Sequence, residues 1–217
     1  MNIKHISWTV FVLTSIACLI AFTVLPSDLS IPMHWGIDGQ PDRYGSLLEA
    51  MLFPPAIMLF ILLLFHFLPF LEPRKENLQE SNKAKDWIAF CVVMLMAIIG
   101  VANISYANGV ELPMMRMIMT GVMIMLLVLG NFIAKTRSNF FIGIRTPWTL
   151  SNEQVWRKTH RLAGRLFMLA GAIGLPLSFF LNNADLTKLV LILVLPAALI
   201  PVVYSWVVWR KLEKTES

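Results

Sequence analysis

Along the chain, long and almost uncharged apolar runs alternate with short polar segments. Six runs stand out: Ile6 to Leu25, Ala50 to Leu71, Trp87 to Ala107, Met115 to Ala134, Ala163 to Leu181 and Leu189 to Trp209. Each is about 20 residues long, the helical length that crosses a hydrocarbon core of about 30 Å. Lipid offers backbone N–H and C=O groups no partner, so a spanning segment must satisfy them internally, as an α-helix does. The strict alternation of a membrane β-barrel strand is absent. The pattern therefore predicts an all-α polytopic membrane protein with six transmembrane helices.

Lys4 and His5 ahead of the first run give it the look of a secretory signal. The apolar stretch continues past Cys18 to Leu25 and no small-x-small cleavage site follows, so it is expected to stay as the first span. The spans group as a two-span region over residues 1–71, a linker over 72–86 and a four-span region over 87–217.

Two polar segments interrupt this pattern with specific chemistry. The first, "LPSDLSIPMHWGIDGQPDRYGS" over residues 25–46, has Pro26, Pro32 and Pro41 against long helix, and its Asp-Gly and Gln-Pro-Asp steps are turn chemistry. It reads as a compact loop with at most one short strand or turn of helix. His34, Asp38 and Asp42 recur every fourth residue, but the prolines and Gly39 oppose the helix that would align them. One imidazole and two carboxylates make a weak metal set. No metal or other cofactor is expected; His34, Trp35, Asp38, Gly39 and Asp42 are the ligand-facing candidates on this side.

The second segment covers residues 131–165. Pro147 disfavours helix at Thr146, and Ser151 with Gln154 three residues later forms a capping box, so a helix should start near Asn152. On it, Arg157, Arg161 and Arg165 stack at i, i+4 and i+8 beside a mostly apolar stripe of Val155, Thr159, Leu162 and Leu166. This predicts a short amphipathic helix leading into span five. Ahead of Pro147, "NFFIGIRTPW" combines interfacial Phe140 and Phe141, a glycine at 143 suited to close backbone approach, and Arg145 between apolar neighbours where a guanidinium needs acceptors. It reads as a packed plug with Arg145 half-buried.

Composition strengthens the membrane reading and charge orients it. Hydrophobic residues are 57% of the chain, charged residues only 14%, and the mean hydropathy is +0.69, against about 25% charged in ordinary soluble domains. Of the 18 Lys and Arg, all but Arg43, Arg116 and Lys188 fall at the N-terminus, in 72–86, in 135–165 or in the C-terminal tail. The positive-inside rule then puts both termini in the cytoplasm. Trp8, Trp87, Trp206 and Trp209 at the same helix ends agree, since indole rings prefer the headgroup layer. The net charge of +5 is thereby a bias toward an anionic inner leaflet, and direct nucleic-acid binding is not expected. Cys18 and Cys91 lie in apolar helices as small hydrophobes. Within the spans there is no Asp or Glu and no HExxH motif, so an intramembrane enzyme is not expected.

The stretch "GNFIAKTRSNFFIGIRTPWTLSNEQVWRKTHRLAGRLF", residues 130–167, resembles the signature of the SdpI family of bacterial membrane proteins. The resemblance rests on Asn131, Arg137, Asn139, Gly143, Arg145, Thr146, Pro147, Trp148, Thr149, Trp156, Thr159 and His160. The 25–46 loop is similar to the small domain of unknown function that commonly precedes the SdpI region. The resemblance implies a bacterial cytoplasmic-membrane protein that protects against a secreted peptide toxin and can hold a transcriptional repressor at the membrane. It also implies that the motif residues, with Arg161 beside them, form the partner-binding surface. The competing reading is a small transporter or channel: Pro54, Pro55, Pro196 and Pro201 are placed to kink spans, and Asn103, Ser105 and Tyr106 make span three partly polar.

Overall fold

A computed structural model describes residues 2–110 and 112–216. Its elements in chain order are α1 (Ile3–Val24), β1 (Ser30–Trp35), β2 (Pro41–Ser46), α2 (Leu47–Leu71), α3 (Lys75–Glu80), α4 (Asn82–Ala107), α5 (Met114–Ile133), α6 (Pro147–Ser151), α7 (Glu153–Leu177) and α8 (Asn183–Glu216). Helices α1, α2, α4, α5 and α8 are long and apolar enough to cross a membrane. Helix α7 is as long as α2 but carries Arg157, Lys158, Arg161 and Arg165 in its first half. The amphipathic segment and span five of the sequence reading are thus one unbroken helix.

The helices form two groups, α1 with α2 and α4, and α5 with α7 and α8, joined where α4 packs on α5. Lys4 Nζ of α1 lies 3.7 Å from Asp86 Oδ1 of α4, so these helices start at the same end. Trp156 Nε1, near the start of α7, donates to Thr136 O just beyond α5 at 2.9 Å. Arg116 Nη2, near the start of α5, donates to Leu181 O just past α7 at 2.9 Å. Helices α5 and α7 therefore run antiparallel along their whole length.

Small residues let that pair approach closely. A Cβ built on Gly130 would lie 2.7 Å from Gly164 O, and one built on Gly164 would lie 2.6 Å from Gly130 O, so any larger residue would push the two backbones apart. Such small-residue crossings are how membrane helices gain packing energy when lipid is as apolar as the side chains.

A buried polar bond holds the other group. Pro54 has no N–H, so the Ala50 carbonyl one turn earlier loses its helical partner. Asn103 Nδ2 of α4, 1% exposed, donates to that carbonyl at 2.9 Å. The polar residue of span three thus repairs the proline break in span two.

The loop at the opposite end from Lys4 is more regular than its sequence suggests. Strands β1 and β2 pair antiparallel, with Ser30 opposite Ser46, Ile31 opposite Gly45 and His34 opposite Arg43, and the register shifts around His34. The strand-breaking Pro32 and Pro41 are tolerated because a two-stranded ribbon has only edges. Ile31 is fully buried and packs with Cys18, Ala21, Leu47, Ala50 and Met51, which docks the hairpin on α1 and α2. That docking is tertiary, which is why turn chemistry alone underestimated the strand content. The tip turns at Gly39, whose φ of +73° suits glycine, and presses on the backbone of Asn183 at the start of α8.

Candidate functional site

The basic end of the molecule is closed by residues 134–152, a segment with only the single turn of α6 in which the polar Thr136, Ser138, Asn139, Thr146 and Thr149 are nonetheless buried. Buried polar groups must be hydrogen-bonded, and the partners here are specific. Asn139 is fully buried and uses both ends of its amide: Nδ2 donates to Arg137 O at 2.8 Å and Ile142 O at 3.2 Å, while Oδ1 accepts from Phe141 N at 3.0 Å and Ile142 N at 2.7 Å. One side chain thereby supplies the loop with the bonds a helix or sheet would otherwise provide.

The loop is pinned to its neighbours by residues from 72–86. Glu72 is 1% exposed; its carboxylate accepts from Arg74 N at 2.8 Å and from Phe140 N at 2.9 Å. Arg74 donates to Ser138 Oγ and, at 3.0 Å, to Leu150 O, with its guanidinium 4.9 Å from the Phe140 ring centre. Ser81 Oγ accepts from Arg137 N at 3.0 Å, and Arg137 Nε donates to Glu80 Oε2 at 2.8 Å, with Glu153 3.8 Å from its other arm.

Beneath the loop, Trp156 and His160 are fully buried, one turn apart on α7, with rings stacked 3.9 Å between centres. His160 Nδ1 lies 2.9 Å from Trp156 O, which can only accept, so Nδ1 carries the hydrogen; Nε2 then accepts from Ile144 N at 2.8 Å. Burial pushes the His160 pKa down to about 4, because an imidazolium would lose its hydration there. Its neutral form is also the only one that can accept from Ile144. Gly143 passes directly over this ring: its φ is +123°, and a Cβ there would collide with His160 Nε2. Thr159, the residue before His160, is also fully buried, and its hydroxyl makes no hydrogen bond among the described residues.

At the far side the loop reaches α8. Thr146 is extended, as the residue before proline should be, and Pro147 occupies the first turn of α6. The capping box is formed by Thr146 and Thr149, each accepting at its hydroxyl from the other's backbone N–H, at 3.2 and 2.9 Å. The capping box expected at Ser151 and Gln154 is not formed; Asn152 caps α7 instead, its Oδ1 accepting from Gln154 N at 2.8 Å and Val155 N at 3.2 Å. An Asn side chain reaches the free N–H groups of the next turn as well as Ser does, and α6 uses Ser151 as its own last residue. Thr146 Oγ1 lies 3.0 Å from Ser205 Oγ, and the Trp148 and Trp209 rings are 6.4 Å apart.

The motif residues thus divide in two. Arg137, Asn139, Gly143, Thr146, Pro147, Trp148, Thr149, Trp156 and His160 form one interlocked cap, while Thr159 is buried on α7 without a side-chain bond to it. Asn131 is exposed and only accepts from Lys135 Nζ at 3.0 Å. Arg161 is exposed on another face of α7. Arg145, expected half-buried beside an acceptor, has one, donating from Nη1 to Phe140 O at 2.8 Å, but is exposed. The loop turns at Gly143, so the next side chain but one points away from the packed layer. Residue types alone do not mark Glu72, Arg74, Ser81, Ser138 and Ser205 as members of the cap, nor Asn77, whose Nδ2 donates to Ser138 O at 2.7 Å. A carboxylate directly after an apolar span, in a loop otherwise rich in Lys and Arg, was the available signal for Glu72.

At the hairpin end, His34 Nδ1 and Asp42 Oδ1 are 2.6 Å apart across the strands, both exposed. Asp38 caps the tip, accepting from Gln40 N at 3.1 Å. Trp35 and Gly39, with Tyr106, Met115 and Asn183, border a cavity of about 180 Å³ between the hairpin, α4, α5 and α8. Among the described residues no group of three His, Cys, Asp or Glu side chains is placed to hold a metal ion.

Residues 135–205 match the SdpI/YfhL protein family, and residues 9–59 match a domain of unknown function, DUF1648. The first region covers the cap, α7 and most of α8; the second covers most of α1, the hairpin and half of α2. Over 213 residues, 98% of each chain, the sequence is 29% identical to the protein named Immunity protein SdpI of Bacillus subtilis (strain 168). No solved structure matches significantly. With its apolar helices and these similarities, the chain is a multi-pass bacterial cytoplasmic-membrane protein that carries an SdpI/YfhL-like region over residues 135–205 and a DUF1648-like region over residues 9–59.

Proposed function

We propose that this protein is an immunity protein that protects its cell against a secreted antimicrobial peptide and that it can sequester a repressor at the membrane. In this reading six helices span the bilayer, α7 being the sixth, with both termini in the cytoplasm. The hairpin then faces outward to meet the peptide, and the cap faces inward, where exposed Arg145 and the half-buried Trp148 offer anchors of the kind interfaces favour. The protein acts by binding rather than catalysis.

The observation that carries the reading is the similarity to an immunity protein over 98% of both chains, with the family matches falling on the two polar surfaces. The test is to delete the gene and challenge the cells with culture medium from sibling cells. Sensitivity restored to resistance by the intact gene is expected. Asp42→Ala, which removes the His34 partner, should weaken protection at unchanged membrane abundance, while Trp148→Ala should weaken recruitment of a tagged repressor candidate. Deletion cells as resistant as their parents would overturn the immunity reading. Reporter fusions after Lys75, after Lys158 and at the C-terminus should read as cytoplasmic, and those near Asp42 and Asp185 as external.

A further inference from the structure

Between the basic-end halves of α7 and α8 lies an open groove of about 620 Å³, and Ser205, which bonds the cap, is not among its lining residues. Lys158, Arg161 and Arg165 line one wall; Tyr204, Val208 and Lys211 line the other. Residues three and four apart share a helix face, so each wall is a single stripe running from the charged rim toward the membrane. Among the described residues none of these four cations has a carboxylate within ion-pair distance, a lack they share with most of the chain's Lys and Arg; what sets them apart is that they line one cleft together. Four like charges facing one cleft repel each other unless a counter-charge comes from outside the chain.

Depth decides what that counter-charge is. Arg165 lies beyond Ala163, where the apolar run of α7 begins, and Tyr204 and Val208 lie within the last apolar run of α8. The floor of the groove is therefore at the level of the bilayer's polar margin, with aliphatic wall below it. A water-soluble acidic segment reaches only the rim. A phospholipid is already at that depth, its phosphate level with the arginines and its acyl chain along the apolar wall. Basic pockets between helices at a membrane face are suited to anionic headgroups, and a guanidinium fork matches two phosphate oxygens.

We propose that this groove binds one anionic phospholipid of the leaflet at the basic end, its phosphate held by Arg161, Arg165 and Lys211. The inference goes beyond the immunity reading and rests only on that reading's placement of α7 across the bilayer.

The full-length protein, reconstituted in phosphatidylcholine nanodiscs containing a minor fraction of phosphatidylglycerol, provides the test, with retained lipid counted by native mass spectrometry after release. The intact protein should keep phosphatidylglycerol in preference to phosphatidylcholine. A basic residue close to the anionic headgroup is worth about a factor of five, so losing two that line the groove, Arg161→Gln with Arg165→Gln, should lower retention about 25-fold. Arg157→Gln with Lys214→Gln removes the same charge outside the groove and should change retention less than about 3-fold. If the Gln pair fails to fold, Arg161→Lys with Arg165→Lys keeps charge but removes the forks, and should lower retention about 5-fold. Excess inorganic phosphate should leave the lipid in place. Equal loss in both Gln pairs, unchanged retention in the Lys pair, displacement by inorganic phosphate or by an acidic peptide, or equal retention of phosphatidylcholine would each overturn the proposal.

Discussion

Gly143→Ala should loosen the basic-end cap more than its size suggests. At φ +123° an L residue is strained by about 1–3 kcal/mol. The new methyl also meets His160 Nε2, and the ring cannot step aside freely. It is held by the bond to Trp156 O, by stacking on Trp156 and by the bond from Ile144 N. Moving it leaves a partly buried N–H without a partner, at about 1–3 kcal/mol. The two effects together give about 2–6 kcal/mol. Gly109→Ala is the control: its φ is +76°, nothing lies within 4 Å of the added atom, and only about 1–2 kcal/mol of strain is expected. Thermal unfolding in detergent and protease sensitivity of residues 134–152 measure both variants. A second substitution, His160→Ala, removes the obstacle, so the double variant should be less destabilised than the sum of its single variants. If Gly143→Ala is no worse than Gly109→Ala, or if the double variant is additive, the packing over His160 is not what requires glycine.

Asn103→Leu leaves the Ala50 carbonyl without a donor beside Pro54 and should destabilise the α2–α4 pair by about 0.6–1.7 kcal/mol; an unchanged melting temperature would refute that role. His160 is neutral in the fold with a pKa near 4, against 6.5 when exposed. The unfolded chain therefore takes up its proton first, and the contribution present above pH 6.5 is lost as pH falls toward 4, by about 3 kcal/mol in all. His160→Gln should flatten that part of the melting-temperature profile. Because Arg145 makes one bond from an exposed position, Arg145→Lys should change stability by less than about 1 kcal/mol, and a large loss would mean that its fork is engaged.

Much of this architecture was legible in the one-dimensional pattern, and for a physical reason. In a membrane each spanning helix must satisfy its own backbone and present an apolar exterior, so α1, α2, α4, α5 and α8 announce themselves by length and composition without regard to their neighbours. Helix α7 was legible as two pieces, because the arginines of its first half look like a surface and the glycines of its second half look like a span. Only the docking of the whole helix along α5, with Gly130 against Gly164, makes it one element.

The motif loop was recognisable, but its chemistry was not readable from residue types alone. Trp148, Trp156 and His160 carry similar interfacial signals in sequence, yet the fold buries Trp156 and His160 completely and leaves Trp148 half-covered against Trp209. Glu72 and Asn139 are polar residues that local rules place in solvent. They are buried because the loop's backbone amides need acceptors once neighbouring helices exclude water, and those amides lie 68 and two or three residues away. The hairpin follows the same logic, since Ile31 becomes a core residue only when α1 and α2 are beside it. Sequence determined which segments must lie in lipid, because that constraint acts on each helix separately. Which polar groups face each other was decided by tertiary structure, because a buried hydrogen bond depends on both partners and on the water that their neighbours shut out.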